Sequence, residues 1–215
     1  MKEPSKILDF ENYQIKQYEE NDYRVESPDN WYKYSKVYLN ENEFVSSTLI
    51  GIQIIEKDRV ISDCLIGADG GTSGIHTNST TFSQGGLIIY CSYTVFKLSL
   101  PYLNLNWKTI ADAENCFAIY KLDKDFVVHG ELEISRLDNL GKIVWKQLGK
   151  DIWTTAEGLD DFTMHDDYIL ATDWEYDIHK FEFNGNLLEK YKNGSDQLGK
   201  LGEIKLEKKW WELWK

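Results

Sequence analysis

The feature that most limits what this chain can fold into is a repeated unit in its middle and C-terminal parts. Leu87, Phe126 and Tyr168 each open a short apolar segment, and they lie 39 and 42 residues apart. An alternating segment, a turn and a third segment follow each opener, and NSTTF, NCFAIY and DDFTMH precede them. This order predicts four short β-strands per unit. One small sheet cannot bury both of its faces, so such units stack on their neighbours.

The third strand of the units carries a recurring tryptophan. Trp107 and Trp145 occupy matching places, and the second unit reads GKIVWK from Gly141 to Lys146. This Gly-x-Ile-x-Trp pattern resembles the repeats of PQQ-type and WD-type β-propellers. The resemblance implies architecture alone: an all-β, propeller-like fold of repeated antiparallel hairpins with about five small blades. A β-sandwich or a meander is the alternative.

The two ends of the chain differ from its middle. We expect a β-repeat domain over residues 36–195, with hairpin turns at NENE and EKDR. Residues 1–35 are interpreted as an N-terminal segment that begins with a short helix, and residues 196–215 as a Trp-rich segment packed on the same domain. The spacing of four residues in this last segment predicts a C-terminal helix, with a strand as the alternative. Those residues are Leu206, Trp210, Leu213 and Trp214.

Charge limits the classes of partner. The formal net charge is −12, which repels nucleic-acid phosphates and anionic lipid and favours a basic protein. The N-terminus lacks the apolar run of a signal peptide, and no window is apolar enough to span a membrane, so we expect a cytoplasmic protein. The three cysteines are widely spaced, which argues against a disulfide framework or a zinc site.

A glycine-rich stretch, GADGGTSGIHTNSTTFSQGG from Gly67 to Gly86, resembles a ligand loop at first sight. It contains six glycines but no lysine to neutralise a phosphate, no helix start after its glycines and no G-x-S-x-G turn. Its DGG and QGG steps are typical of tight turns, because glycine and aspartate tolerate positive φ. The stretch is therefore interpreted as a pair of connecting loops around a short strand.

A small-molecule or metal site is the second hypothesis for this part of the chain. Asp69 and His76 lie in the glycine-rich stretch, and His129 and Glu131 share one face of a predicted strand. A His–Glu pair suits acid–base chemistry or metal ligation, which would make the chain a ligand-binding propeller or a hydrolase. No HExxH motif and no Cys/His cluster occurs, so we expect no cofactor and no metal.

The acidic residues are concentrated in one block. Residues 151–177 contain nine acidic residues, two tryptophans and no Lys or Arg, whereas a solvated face usually mixes both signs. Carboxylates beside exposed aromatic rings are typical of surfaces that capture basic proteins. Calcium binding and unrelated turn aspartates are the alternatives. The candidate partner-binding residues are Asp151, Trp153, Asp160, Asp161, Asp166, Asp167, Asp173, Trp174, Glu175 and Asp177.

These observations favour a non-enzymatic, cytoplasmic binding protein. Its acidic, motif-poor profile is similar to that of immunity proteins in bacterial toxin systems, which block basic nuclease toxins. The resemblance implies that the carboxylates take the place of nucleic-acid phosphates on the toxin, and that Trp153 and Trp174 supply desolvated contacts. A small-molecule- or metal-binding hydrolase and a scaffold with several partners remain the alternative functions.

Overall fold

Four small β-sheets, each built from strands that are near neighbours in the sequence, make up the described part of the chain. The computed structural model describes residues 2–40, 46–156, 158 and 161–192. These residues form 17 strands and one 3-10 turn, with no α-helix among them. None of the described elements is a helix with the length and hydrophobicity needed to cross a lipid bilayer.

The first sheet contains five strands in the order β1-β2-β4-β5-β3, and only β3 runs parallel to its neighbour. Its hairpin turn at Lys57 and Asp58 has positive φ at both residues, as the EKDR sequence predicts. The first two strands fall within residues 1–35, where we expected a short helix, and β2 pairs with β4. The strands are β1 (Lys6–Phe10), β2 (Tyr13–Glu19), β3 (Val37–Leu39), β4 (Thr48–Glu56) and β5 (Arg59–Ala68).

The other three sheets are four-stranded antiparallel meanders in sequence order. The second contains β6 (Thr80–Ser83), β7 (Gly86–Cys91), β8 (Thr94–Ser99) and β9 (Leu105–Ile110), after the 3-10 turn Thr77–Ser79. The third contains β10 (Cys116–Leu122), β11 (Asp125–Gly130), β12 (Glu133–Leu137) and β13 (Ile143–Leu148). The fourth contains β14 (Phe162–Met164), β15 (Tyr168–Thr172), β16 (Ile178–Glu182) and β17 (Leu187–Tyr191).

Each repeat unit of the sequence forms one of the four-stranded sheets. Leu87, Phe126 and Tyr168 each fall in the second strand of a meander, and four strands form each unit as predicted. The all-β architecture of repeated antiparallel hairpins is therefore confirmed. The described residues hold four sheets rather than about five, because the first sheet alone takes up the chain from β1 to β5.

Strand β7 shows how neighbouring sheets share their cores. All six of its residues are buried. Leu87 and Ile89 belong to the core between the first and second sheets, whereas Ile88 and Tyr90 belong to the core between the second and third. Successive side chains of a strand point to opposite faces, so an uninterrupted apolar strand supplies both cores at once.

The chain divides into two compact units, which we call the N-terminal unit (1–147) and the C-terminal unit (148–215). The cores described above lie in the N-terminal unit. In the C-terminal unit the fourth sheet buries Ile169, Ile178 and Phe181 together with Trp153. The predicted Trp-rich segment 196–215 and its helix lie outside the described residues.

Candidate protein-interaction site

A tight turn between β15 and β16 displays part of the predicted acidic block. The carboxylate of Asp173 organises this turn: its Oδ1 accepts hydrogen bonds from the backbone N–H groups of Glu175 at 3.1 Å and Asp177 at 3.0 Å. The backbone adds bonds from Tyr176 to Asp173 and from Asp173 to Asp177. An aspartate that caps its own turn in this way fixes the backbone without help from outside.

A buried aromatic cluster packs against the interior side of this turn. His179 Nε2 lies 2.9 Å from Oδ2 of Asp173, and a carboxylate can only accept, so Nε2 carries the proton. The ring of Trp153, which is fully buried, packs edge-on against His179 at 4.9 Å between centroids. Asp161 accepts from Thr154 and from both the amide and the hydroxyl of Thr155. These contacts attach residues 151–156 to the sheet.

The tip of the turn is exposed. Trp174 keeps 43% of its surface accessible although it is one of the largest side chains in the unit. Its backbone N–H donates to the carbonyl of Ile152 at 2.9 Å, which brings the exposed Asp151 to the same place. The neighbouring Glu175 is also exposed and forms an ion pair with Lys150. We call Lys150, Asp151, Trp174 and Glu175 the Trp174 surface.

Four of the predicted partner-binding residues are part of the interior. Trp153 and Asp173 have no exposed surface, and Asp161 and Asp177 are at least nine-tenths buried. Asp177 pairs with Lys190 at 3.0 Å. The expectation that these side chains contact a partner is corrected, because each is occupied by the fold of its own unit. Asp160 lies outside the described residues.

The two remaining predicted residues lie away from the Trp174 surface. Asp166 and Asp167 are exposed in the connection between β14 and β15, whereas Trp174 follows β15. The two turns are therefore at opposite ends of the five-residue strand β15, which spans about 15 Å. The acidic block of the sequence therefore does not form one continuous acidic surface among the described residues of this sheet.

The residues of the alternative ligand site have structural partners. Nδ1 of His76 accepts from the amide of Asn78 at 3.3 Å, and Nε2 lies 2.7 Å from the hydroxyl of Tyr90. The Tyr90 hydroxyl in turn donates to a backbone carbonyl at 3.0 Å. The side chain of His76 thus caps the 3-10 turn and ties it to β7.

His129 and Glu131 lie near the end of β11 in the third sheet. His129 is mostly buried, with its ring edge-on to Phe117. Burial and the charges of Asp112 and Glu114 raise the pKa of Glu131. Within the part of the chain that the structure describes, no three His, Cys, Asp or Glu side chains are arranged to hold a metal ion.

The glycine-rich stretch forms connecting loops on either side of the 3-10 turn and β6. Gly70 has φ +99°, and a Cβ there would lie 2.4 Å from the carbonyl oxygen of Glu114. The loop crosses Asn115 closely, and the Asn115 amide donates to the carbonyl of Thr72 at 3.4 Å. Asp69, the remaining predicted ligand residue, has a buried Oδ1 without a hydrogen-bond partner among the described residues.

An ordered loop between β2 and β3 was missed in the sequence. It is fixed by the buried carboxylate of Glu20, which accepts from Trp31 Nε1 at 2.9 Å, from the Tyr34 hydroxyl at 2.5 Å and from Lys2. Burial and the hydrogen bond to Glu20 raise the pKa of Tyr34. The four aromatic residues between positions 23 and 34, which follow the pair Glu19 and Glu20, were the available signal.

Comparisons with known proteins concern the fold alone. No known family's sequence profile and no curated protein matches the chain. Among solved structures, the computationally designed Ika8 protein is similar at 9% identity with a TM-score of 0.49, over 86% of this chain and 60% of that one. The Neurospora crassa Pan2 WD40 domain is similar at 13% identity with a TM-score of 0.43, over 54% and 37%. BamB from Moraxella catarrhalis is similar at 17% identity with a TM-score of 0.35, over 67% and 57%.

Proposed function

We propose that this chain is a non-enzymatic protein-binding module that captures a basic protein through the Trp174 surface. The observation that carries the proposal is a tryptophan with 43% of its surface exposed on a turn that its own residues hold rigid. Tryptophan is among the residues most enriched at binding hot spots. A turn that is already ordered loses little conformational freedom when a partner docks.

The net charge of the chain and the ring of Trp174 have separate roles in this proposal. The net charge of −12 attracts a basic partner over a distance and raises the rate of encounter. The local charge is smaller, because Lys150 already neutralises Glu175. Trp174 therefore supplies most of the affinity, and Asp151 and Glu175 orient the basic groups that arrive next to it.

The partner that fits best is a basic, nuclease-like bacterial toxin, with this chain as its cytoplasmic immunity protein. The support is the combination of strong acidity and an all-β fold that exposes an aromatic anchor. On such a toxin, Asp151 and Glu175 would occupy positions that otherwise bind nucleic-acid phosphates, since carboxylate oxygens accept the same Arg and Lys hydrogen bonds. The toxin would be inhibited because its nucleic-acid-binding surface is occupied.

Co-expression of the tagged chain with the product of the neighbouring upstream gene tests the proposal. We expect a complex that elutes with salt, that Trp174→Ala disrupts, and that Lys150→Met strengthens about two- to five-fold by releasing Glu175. The double variant Asp166→Asn/Asp167→Asn is the matched control, because it removes two exposed acids from the other end of the sheet. Equal losses with the control and with Trp174→Ala would overturn the proposed surface.

A further inference from the structure

A cleft in the N-terminal unit has a lining unlike the rest of this acidic protein. Its volume is about 480 Å³, within the range of small-molecule sites. Side chains from the second and third sheets and from the end of β3 line it. Among them are Asn40, Tyr93, Thr94, Lys108, Ile110 and Ile143.

Lys108 is the only charged side chain in the described lining of this cleft. Lys108 is partly buried, and its ammonium group donates to the backbone carbonyl of Leu39 at 2.7 Å. Other lysines, such as Lys2 and Lys146, pair with carboxylates, but no described carboxylate pairs with Lys108. An ammonium group has three donors, so two remain for a ligand. A cation that no described carboxylate neutralises favours an anionic ligand.

The polar neighbours of Lys108 add donors. The Thr94 hydroxyl accepts from the Asn40 amide at 2.8 Å, so its own hydrogen is left as a donor. Tyr93 also lines the cleft. Donors without a neighbouring acid match the acceptor oxygens of a carboxylate.

The lining also contains exposed apolar side chains. Ile110 is 54% exposed and Ile143 is 37% exposed, so a bound aliphatic chain would cover hydrophobic surface that now faces water. The Thr109 hydroxyl donates to the carbonyl of Gly141 at 2.6 Å, which holds β9 against the turn before β13. The two isoleucines are thereby kept on one wall.

From these features we propose that the cleft binds a small organic monocarboxylate with a short aliphatic chain. Lys108 pairs with the carboxylate, Thr94 donates a hydrogen bond to it, and Ile110 and Ile143 pack against the chain. This site is independent of the Trp174 surface, which belongs to the C-terminal unit, so either can fail without affecting the other.

Calorimetric and NMR titrations of the full chain with hexanoate test the proposal, and hexanol and hexylamine serve as probes of the same shape. We expect hexanoate to bind at least about ten-fold more tightly than either probe, since a hydrogen bond to a charged group is lost in both. Amide shifts are expected at Thr94, Lys108 and Ile143.

Two variants sharpen the test. Lys108→Met should weaken hexanoate binding about ten-fold or more, whereas Lys142→Met, an exposed lysine in the turn before β13, should leave it unchanged. Binding of hexanol equal to that of hexanoate, no amide shifts in the cleft at millimolar hexanoate, or equal losses in the two variants would each overturn the proposal. The comparison of the three probes uses the wild-type chain, so it stands even if Lys108→Met fails to fold.

Discussion

At the scale of single residues, the two tryptophans of the acidic block have opposite roles. Trp153 is fully buried beneath the turn, whereas Trp174 is exposed at its tip. We expect Trp153→Ala to lower the free energy of unfolding by about 3–5 kcal/mol, because it leaves a cavity. Trp174→Ala should change it by less than about 0.5 kcal/mol while strongly weakening capture of the partner. Urea unfolding of both variants, monitored by far-UV circular dichroism, checks this; a large destabilisation by Trp174→Ala would contradict the assignment.

The raised pKa of Glu131 gives a second residue-scale prediction. An acid whose pKa is raised by folding disfavours the folded state when it is ionised, so its unfavourable contribution is present at neutral pH and is relieved as pH falls through the raised value. Glu131→Gln should therefore stabilise the chain at pH 7, with a gain that shrinks towards and below its usual pKa of 4.5.

Urea unfolding at a series of pH values measures this gain. Glu133→Gln is the control, since Glu133 pairs with Lys146 in the same region and its loss should destabilise slightly instead. A gain from Glu131→Gln that grows as the pH falls would have the wrong sign for the proposed electrostatics.

At the scale of elements, two glycines in turns separate backbone strain from steric overlap. Gly141 has φ +79°, and a Cβ there would lie 2.5 Å from the ring of Trp107. Gly85 has φ +68°, but no described atom lies within 4 Å of its Cβ position. Gly85→Ala should cost about 1–2 kcal/mol from the left-handed conformation alone. Gly141→Ala should cost clearly more, and thermal unfolding of the two variants compares them; equal losses would mean that Trp107 moves aside freely.

The elements themselves were the most predictable part of the structure. Alternating apolar residues and turn residues such as EKDR act locally, so the hairpins and the repeat of the meanders followed from the sequence. The burial of Asp161, Asp173 and Asp177 could not be predicted from the sequence. Asp166 and Asp173 both sit in turns between strands, but only Asp173 finds amides and His179 within reach. Such partners are set by the folded turn and the packing beneath it, which composition does not encode.

At the scale of the whole molecule, the net charge of −12 should control how fast the partner arrives. The screening length falls from about 30 Å at 0.01 M salt to about 3 Å at 1 M. Over this range we expect the association rate with the basic partner to fall steeply and the dissociation rate to change little. Trp174→Ala should instead raise the dissociation rate and leave the association rate nearly unchanged. Surface plasmon resonance separates the two rates, and an association rate independent of salt would exclude electrostatic steering.

The burial of β7 on both faces has a consequence for how the chain can be shortened. A truncation that removes the first sheet strips the cover from Leu87 and Ile89, and one that removes the third strips it from Ile88 and Tyr90. Either fragment would expose one apolar face of β7 to water and would tend to aggregate. We therefore expect that a soluble fragment of the N-terminal unit must retain all three of its sheets. The second sheet, which is covered on both faces, should not be soluble when expressed alone.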